Sequence, residues 1–242
     1  MTRVSSDSHV LPPEAEKAAW VRAMFDRLAP RYDLFNDLLS AGVHRRWRRS
    51  AIVALAPDPG RRYLDLCAGT LDLGLAIAAE APGAAVVAAD FALAMLQRGR
   101  EKQITPGVWP VAADALELPF PDATFGGCIV GFGLRNLADP VAGLMEMRRV
   151  LSADARLVVL EFATPPSPWF RSAYHAYFHH VLPRIGALVV GEREGPSYLP
   201  ASVSRFPDAP SLAALFSEAG FSRVRWKLLT GGIAALHVGV AA

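Results

Sequence analysis

Apolar positions along this chain follow two different periods. Between residues 62 and 163, short apolar runs alternate with helical patterns. The pattern predicts strands near 62–67, 84–90, 108–113, 126–132 and 155–162, and helices near 71–81, 92–103 and 139–151. Ahead of this block lie a loose polar tail (1–12) and three amphipathic helices. The first opens at Pro12-Pro13-Glu14, carries Trp20, Met24, Phe25 and Leu28 on one face, and stops at Pro30. The second carries Leu34, Phe35, Leu38 and Leu39 and ends at Gly42; the third, near 43–56, sets Val43, Trp47, Ile52 and Leu55 among Arg45, Arg46, Arg48 and Arg49. After the block, aromatic and aliphatic residues recur at helical spacing over 169–190, interrupted by Pro183. A polar loop with Gly191, Gly195, Pro196 and Pro200 follows, then a helix near 210–219. Strands Phe221–Leu229 and one ending near Val240, joined at Gly231-Gly232, predict a hairpin at the sheet edge.

Runs of Val, Leu and Ala bounded by Gly and Pro read as buried parallel strands, and their alternation with helices reads as βαβ units in an α/β fold. The 242 residues divide into an N-terminal tail and helical extension (1–57, on the substrate side) and a main domain (58–242), which carries a substrate-covering helix and loop at about 166–205. Hydrophobic residues make up 52% of the chain, enough for a sizeable core. With 25 basic and 23 acidic residues, a net charge of +2 gives no argument for a nucleic-acid partner. Cys67 and Cys128 sit in or beside predicted buried strands, which suits reduced thiols in a cytoplasmic protein. No apolar run reaches membrane-spanning length, so any membrane contact is expected to be peripheral, on the inner face.

Three of the predicted strands end in an aspartate: Arg62-Tyr63-Leu64-Asp65, Val86-Val87-Ala88-Ala89-Asp90 and Val111-Ala112-Ala113-Asp114. Ligands of such sheets bind beyond the carboxyl ends of the strands. Three carboxylates there suit a ligand with hydroxyl and amino donors and no phosphate. S-adenosylmethionine fits, with a ribose diol, an adenine amine, an ammonium group and a sulfonium. Thr70 opens a helix whose free N–H groups favour the ligand's carboxylate, and Gly69 allows close approach. Asp90 is positioned for the ribose, and Asp114 with Ala115 for the adenine. Asp65 and Asp72 are candidates to face the ammonium or its network of waters. The duller reading is that each aspartate caps the next helix. A nicotinamide fold is the rival, but Cys67-Ala68-Gly69-Thr70-Leu71-Asp72 has one glycine and an acid where a pyrophosphate would lie.

Several further segments narrow the reading. Met24 to Asn36 includes Ala29-Pro30-Arg31-Tyr32-Asp33, and Gly131-Phe132-Gly133-Leu134-Arg135-Asn136 ends the fourth strand. Leu157 to Phe162, Tyr198-Leu199-Pro200, Phe206-Pro207 and Gly231 to His237 complete the set. With these, the chain over roughly 20–240 resembles the ubiquinone/menaquinone biosynthesis C-methyltransferases (UbiE/MenG type), class I S-adenosylmethionine enzymes. The resemblance implies a Rossmann-like, seven-stranded, mostly parallel sheet with the last strand antiparallel and helices on both faces. It also implies methylation of a ring carbon in a polyprenylated quinol. By matching position it gives Thr70, Asp90, Asp114 and Ala115 as cofactor contacts and sets Arg135 and Asn136 at the substrate end. Leu71 stands where the family usually has a small residue, which predicts a crowded methionine end; Gly131, also expected at the cofactor, stands where many members have serine. The segment 151–155 lacks the usual glycine pair.

Methylating a quinol carbon requires removing a hydroxyl proton and stabilising the oxyanion. Arg135 is a candidate for the oxyanion, Asn136 for a proton relay and His237 for the base. Arg135 and Asn136 equally suit a bridge to the next helix, and His237 a satisfied histidine in an edge strand. Arg31, Tyr32, Asp33, Tyr174 and Tyr198 are candidate substrate contacts. The aromatic stripe over 169–190 suits either core packing or a path for a polyprenyl tail. His175 and His179 lack a further ligand at metal-binding spacing, so no metal is expected. The arginines around Trp47 read either as a solvated face or as a membrane-surface anchor. A homodimer is a further expectation. The competing functions keep the cofactor but change the acceptor to another lipophilic or small aromatic molecule, or retain binding without turnover in a quinone-biosynthesis assembly.

Overall fold

The computed structural model describes residues 11–13, 16–102, 105–182, 184 and 194–242. The N-terminal helices are α1 (Lys17–Leu28), α2 (Tyr32–Ser40) and α3 (Val43–Leu55), with a 3-10 turn at Ala29–Arg31. Then follow β1 (Arg62–Leu66), α4 (Asp72–Glu80), β2 (Ala85–Asp90), α5 (Leu93–Lys102), β3 (Val108–Ala112), β4 (Phe125–Gly131), α6 (Pro140–Val150) and β5 (Leu151–Phe162). The chain closes with α7 (Pro168–Ala176), a π-helical stretch at Tyr177–Val181, α8 (Glu194–Arg205), α9 (Ala209–Glu218), β6 (Phe221–Leu229) and β7 (Ala234–Ala241). The seven strands are ordered β3-β2-β1-β4-β5-β7-β6, parallel except where β7 runs antiparallel to both neighbours. This is the expected sheet. The order reverses between β1 and β4, which opens the crevice where ligands of such sheets sit.

Side chains alternate across the strands. Cys128, Val130, Leu157 and Val159 face a core completed by α6 and α9 through Leu144, Met147, Leu212 and Phe216. Ile129, Val158, Leu160, Leu236 and Val238 face the opposite core with Trp47, Ala51, Ile52, Leu55, Leu73 and Ile77. The third N-terminal helix therefore shares its core with the sheet. Trp47 is buried and its indole N–H donates to Thr230 Oγ1 (2.8 Å), so it is not available at a membrane interface; the exposed residues of that helix are Arg45, Arg46, Arg49 and Val53.

Three local expectations change. The stretch expected as a polar loop through Pro200 is helical from Glu194, because Tyr198, Leu199, Ala201 and Val203 bury one face of α8. Burial outweighs the proline at position 200, since a single missing N–H costs less than exposing that face. Strand β5 begins at Leu151, four residues early: α6 runs directly into it, with left-handed Asp154 (φ 61°) beside the register shift between Phe125 and Gly127. Leu71 does not crowd a ligand. Left-handed at φ 67°, it lies in a cluster with Ala88 and Leu96 and packs onto Gly99 of α5. The tail over 1–10, the aromatic helix beyond Leu182 apart from Arg184, and residues 191–193 of the loop lie outside the described residues, as does the side chain of His179. Among the described residues no helix is long and apolar enough to cross a membrane, and no three His, Cys, Asp or Glu side chains are grouped to hold a metal.

A Cβ at Gly99 would collide with Leu71 and with the Thr70 backbone. Gly99→Ala is expected to cost roughly 1–3 kcal/mol in urea unfolding, as overpacking does, and Leu71→Ala in the same chain should recover part of that loss. An unchanged midpoint for the single variant would show that α5 does not sit this close.

Candidate functional site

The turns after β1 and β4 meet over the crevice. Cys67 and Phe132 both adopt left-handed backbone (φ 56° and 61°), and a Cβ at Gly133 would strike the Cys67 side chain. Strain of this kind in non-glycine residues persists only where surrounding contacts over-determine it, and it gathers at binding sites. Here Asp90 supplies one such contact. Its Oδ2 accepts the Gly69 N–H (2.8 Å) and its Oδ1 the Ala92 N–H (2.8 Å), which ties the first turn to the end of β2. Burial raises its pKa.

Above these turns lies a cavity. Gly69, Asp90, Asp114, Ala115 and Gly131 line it, together with Phe25, Tyr32, Cys67, Phe91, Met95, Phe132 and Asn136. Two carboxylates and no lysine or arginine are among its lining residues. That set repels a pyrophosphate and suits a cationic ligand bearing a diol, so the residues fit S-adenosylmethionine. At Gly131 a Cβ would collide with Leu73, whose side chain takes the space a serine would fill.

Asp65 and Thr70 do not line this cavity; they hold it from behind. Asp65 is fully buried: Oδ2 accepts the Gly74 N–H (2.7 Å), while Oδ1 has no partner. Burial, reinforced by Asp90 and Asp72, pushes its pKa up to about 7. Thr70 donates to Asp33 (2.8 Å) and accepts from Lys102 (2.7 Å). Lys102 also bridges Asp33 and Asp72, and Arg48 meets Asp72 at 2.5 Å. Burial alone would raise the Asp72 pKa, but Arg48 and Lys102 outweigh it and lower it. Asp33 thus joins α2 to the glycine turn.

A second cavity adjoins the first and shares Phe25, Tyr32 and Phe132 with it. Arg135, Tyr198, Phe162, Asn36, Ser40, His44 and Arg48 complete its polar and aromatic wall. Arg135 is buried, paired with Glu161 (2.8 Å), donates to the Phe132 carbonyl (2.5 Å), and lies 5.3 Å from the Phe162 ring centroid. Tyr198 donates to Asn136 Oδ1 (3.1 Å), which brings those two expected residues together. Tyr174 lines a third, apolar cavity with Leu38, Leu39, Phe162, Tyr177 and Phe178; its hydroxyl is buried without a partner, and burial raises its pKa.

Arg31 is exposed and lines none of these cavities. His237 is not brought to them either. Strand β7 lies inside the sheet, and His237 is fully buried there, bonded through Nε2 to the Ala209 carbonyl (2.9 Å) and stacked near Phe216 and Trp226. Burial lowers its pKa. Sequence reasoning missed Glu161, Ser40 and His44. The Ser-x-x-x-His spacing of the last two was the signal, but a turn at Ala41-Gly42 intervenes and obscures it.

A family model described as the ubiE/COQ5 methyltransferase family matches residues 14–241. A demethylmenaquinone methyltransferase of Thermus thermophilus is 49% identical over 218 residues, 89% of this chain and 99% of that protein. A ubiquinone/menaquinone biosynthesis C-methyltransferase, UbiE, of Paracoccus denitrificans is 42% identical over 231 residues, 93% of this chain and 92% of that protein. Among solved structures, the [4+2]-cyclase SpnF superposes with a TM-score of 0.68 at 15% identity, covering 96% of this chain and 97% of that one. A putative methyltransferase from a Haloferax volcanii complex with the activator Trm112 superposes with a TM-score of 0.65 at 16% identity, covering 90% and 97%. These two likenesses concern the fold.

In the ligand-free chain the folded Asp65 holds its proton more tightly than the unfolded one, so stability is lost as pH rises from about 4 to about 7. Asp65→Asn does not titrate and can keep an acceptor for Gly74. It is expected to be more stable than the parent above pH 7, by on the order of 4 kcal/mol, with the gap closing toward pH 4. Thermal unfolding across this pH range checks it; a gap independent of pH would refute the assignment.

Proposed function

Because the chain belongs to the ubiE/COQ5 methyltransferase family, we propose that its acceptor is a polyprenylated quinol, with demethylmenaquinol favoured over the benzoquinol. The family membership makes it an S-adenosylmethionine-dependent methyltransferase of quinone biosynthesis. The names of the similar Thermus and mycobacterial proteins favour the naphthoquinol. The observation that carries the reading is the pair of adjoining cavities, one acidic and one aromatic, sharing Phe25, Tyr32 and Phe132.

When bound, S-adenosylmethionine supplies a methyl group on an electron-poor sulfonium. In this reading Asp90 accepts from the ribose diol while its backbone bonds hold the Gly69 turn, and Asp114 with Ala115 takes the adenine. Asp65, Thr70 and Asp33 act indirectly, by fixing that turn. Tyr32, Phe132 and Tyr198 orient the acceptor ring, Asn136 positions a hydroxyl through its bond to Tyr198, and Arg135 presents its positive field to the developing oxyanion. The apolar cavity beside Tyr174 continues from Leu39, Ser40 and Phe162 of the second cavity and suits a polyprenyl tail. Leu34 and Leu38, exposed one turn apart on α2, together with exposed Arg45, Arg46 and Arg49 support peripheral contact with an anionic membrane surface. Sedimentation of the purified chain decides whether it also forms the expected homodimer.

Quinone profiling of a host lacking this gene should show demethylmenaquinone accumulating; accumulation of a benzoquinone precursor instead would replace the acceptor. By calorimetry, Asp90→Ala is expected to weaken cofactor binding at least about 100-fold, since it removes a charge-assisted bidentate acceptor and loosens the turn. Arg135→Lys keeps the charge opposite Glu161 but loses the planar fork. It should bind the cofactor within about threefold of the parent and turn over about 100-fold more slowly. Equal loss of binding in both variants would refute this division. Vesicles rich in anionic lipid should co-sediment with the parent, and Leu34→Asp/Leu38→Asp should release it; parent and variant behaving alike would exclude this surface.

A further inference from the structure

We propose that Ser40, His44 and Asp37 form a proton relay on the wall of the acceptor cavity, with the Ser40 hydroxyl taking the proton of the acceptor's ring hydroxyl and passing its own to His44. This inference rests on the quinol reading above. Among the described residues, the acceptor cavity has no lining carboxylate, and His44 is its one lining imidazole. Arg135 donates and cannot accept, and His237 lies elsewhere.

Ser40 Oγ lies 2.6 Å from His44 Nδ1 and 2.8 Å from the Asn36 carbonyl, and its single proton serves one of them at a time. On the far side of the ring, His44 Nε2 lies 3.6 Å from Asp37 Oδ1. A carboxylate there favours the proton on Nε2 and leaves the Nδ1 lone pair facing the hydroxyl. That order, hydroxyl to imidazole to carboxylate, is the one that moves a proton away from the cavity toward the half-exposed Asp37. The acceptor O–H bond breaks with its electron pair retained on oxygen. Ser40 Oγ gains that proton and releases its own to Nδ1, and the resulting imidazolium is compensated by Asp37. Arg48, on the same wall, faces the oxyanion left behind. Burial lowers the His44 pKa, and the charged groups around it are Arg48 and Arg45 of its own helix, Asp37 of α2 and Asp72 of α4. Neutral imidazole is therefore the resting form at neutral pH, and activity is lost as pH falls through that lowered value.

The test uses the full chain with S-adenosylmethionine and a short-tailed reduced demethylmenaquinone. His44→Gln is expected to lower kcat about 100-fold or more with KM little changed, and to abolish the acidic limb of the kcat profile. Free imidazole should restore part of the activity of His44→Ala. Ser40→Ala should lower kcat about tenfold or more, and Asp37→Asn should move the acidic limb to lower pH. Calorimetric cofactor binding close to the parent's shows that each variant is folded. Independently of turnover, nitrogen NMR of the histidine-labelled parent should find the His44 proton on Nε2. A proton on Nδ1, or His44→Gln retaining kcat within about threefold, overturns the relay. A parent that binds the quinol but methylates nothing overturns the acceptor reading instead, and the tautomer still judges the relay.

Discussion

The buried ion pair between Arg135 and Glu161 is the contact on which the two cavities depend. Taking both charges out of water costs several kcal/mol unless their remaining donors and acceptors are satisfied. Here they are. Glu161 also accepts the backbone N–H groups of Arg135 and Phe162, and Arg135 also donates to the Phe132 carbonyl, with Ser202 of α8 beside it. The carbonyl of a left-handed phenylalanine is thereby pinned by a guanidinium. This pinning holds Phe132 as the wall between the acidic cavity and the aromatic one. Removing either partner alone leaves an uncompensated charge under the wall.

Geometry of the acidic cavity follows from the same economy of backbone groups. Cys67 and Gly133 touch, so the turn after β1 and the turn after β4 position each other, and Asp90 fixes the first of them through Gly69. The N-terminal helices are held by core packing and also by charge. Asp33 on α2, Arg48 on α3, Asp72 on α4 and Lys102 on α5 form one half-buried network around Thr70. A cluster of this kind is worth more than separate surface pairs, because Asp72 and Lys102 each bridge two opposite charges. It explains why a segment preceding the sheet in sequence closes over the ligand end of that sheet.

The sheet was readable because its central strands are rich in Val, Leu, Ile and Ala, and the aspartates at the ends of the first three marked the ligand end. Register shifts and the early start of β5 were not readable, since Leu151-Ser152-Ala153-Asp154 carries no period of its own and is a strand only through its pairing with β4. α8 was hidden by Pro196 and Pro200, whose local preference is overridden by burial of Tyr198 and Leu199. Leu71 misled in a different way. Its position in the turn is the family's, but backbone torsion, invisible in sequence, directs the side chain toward Gly99 and away from the ligand.

The two histidines show where sequence reasoning about chemistry reaches its end. By intrinsic pKa they are equal, and by resemblance His237 lies in the more distinctive segment. Strand β7, however, is enclosed by β5 and β6, so an imidazole at 237 meets Phe216, Trp226 and a backbone carbonyl, and a charged form there would have no counter-ion. His44 is also buried, yet it lies between a hydroxyl and a carboxylate and opens onto the cavity. What separates a packing histidine from a base is the second nitrogen's partner. That partner, Asp37, comes from a different helix, and only the left-handed turn at Ala41 and Gly42 brings it within reach.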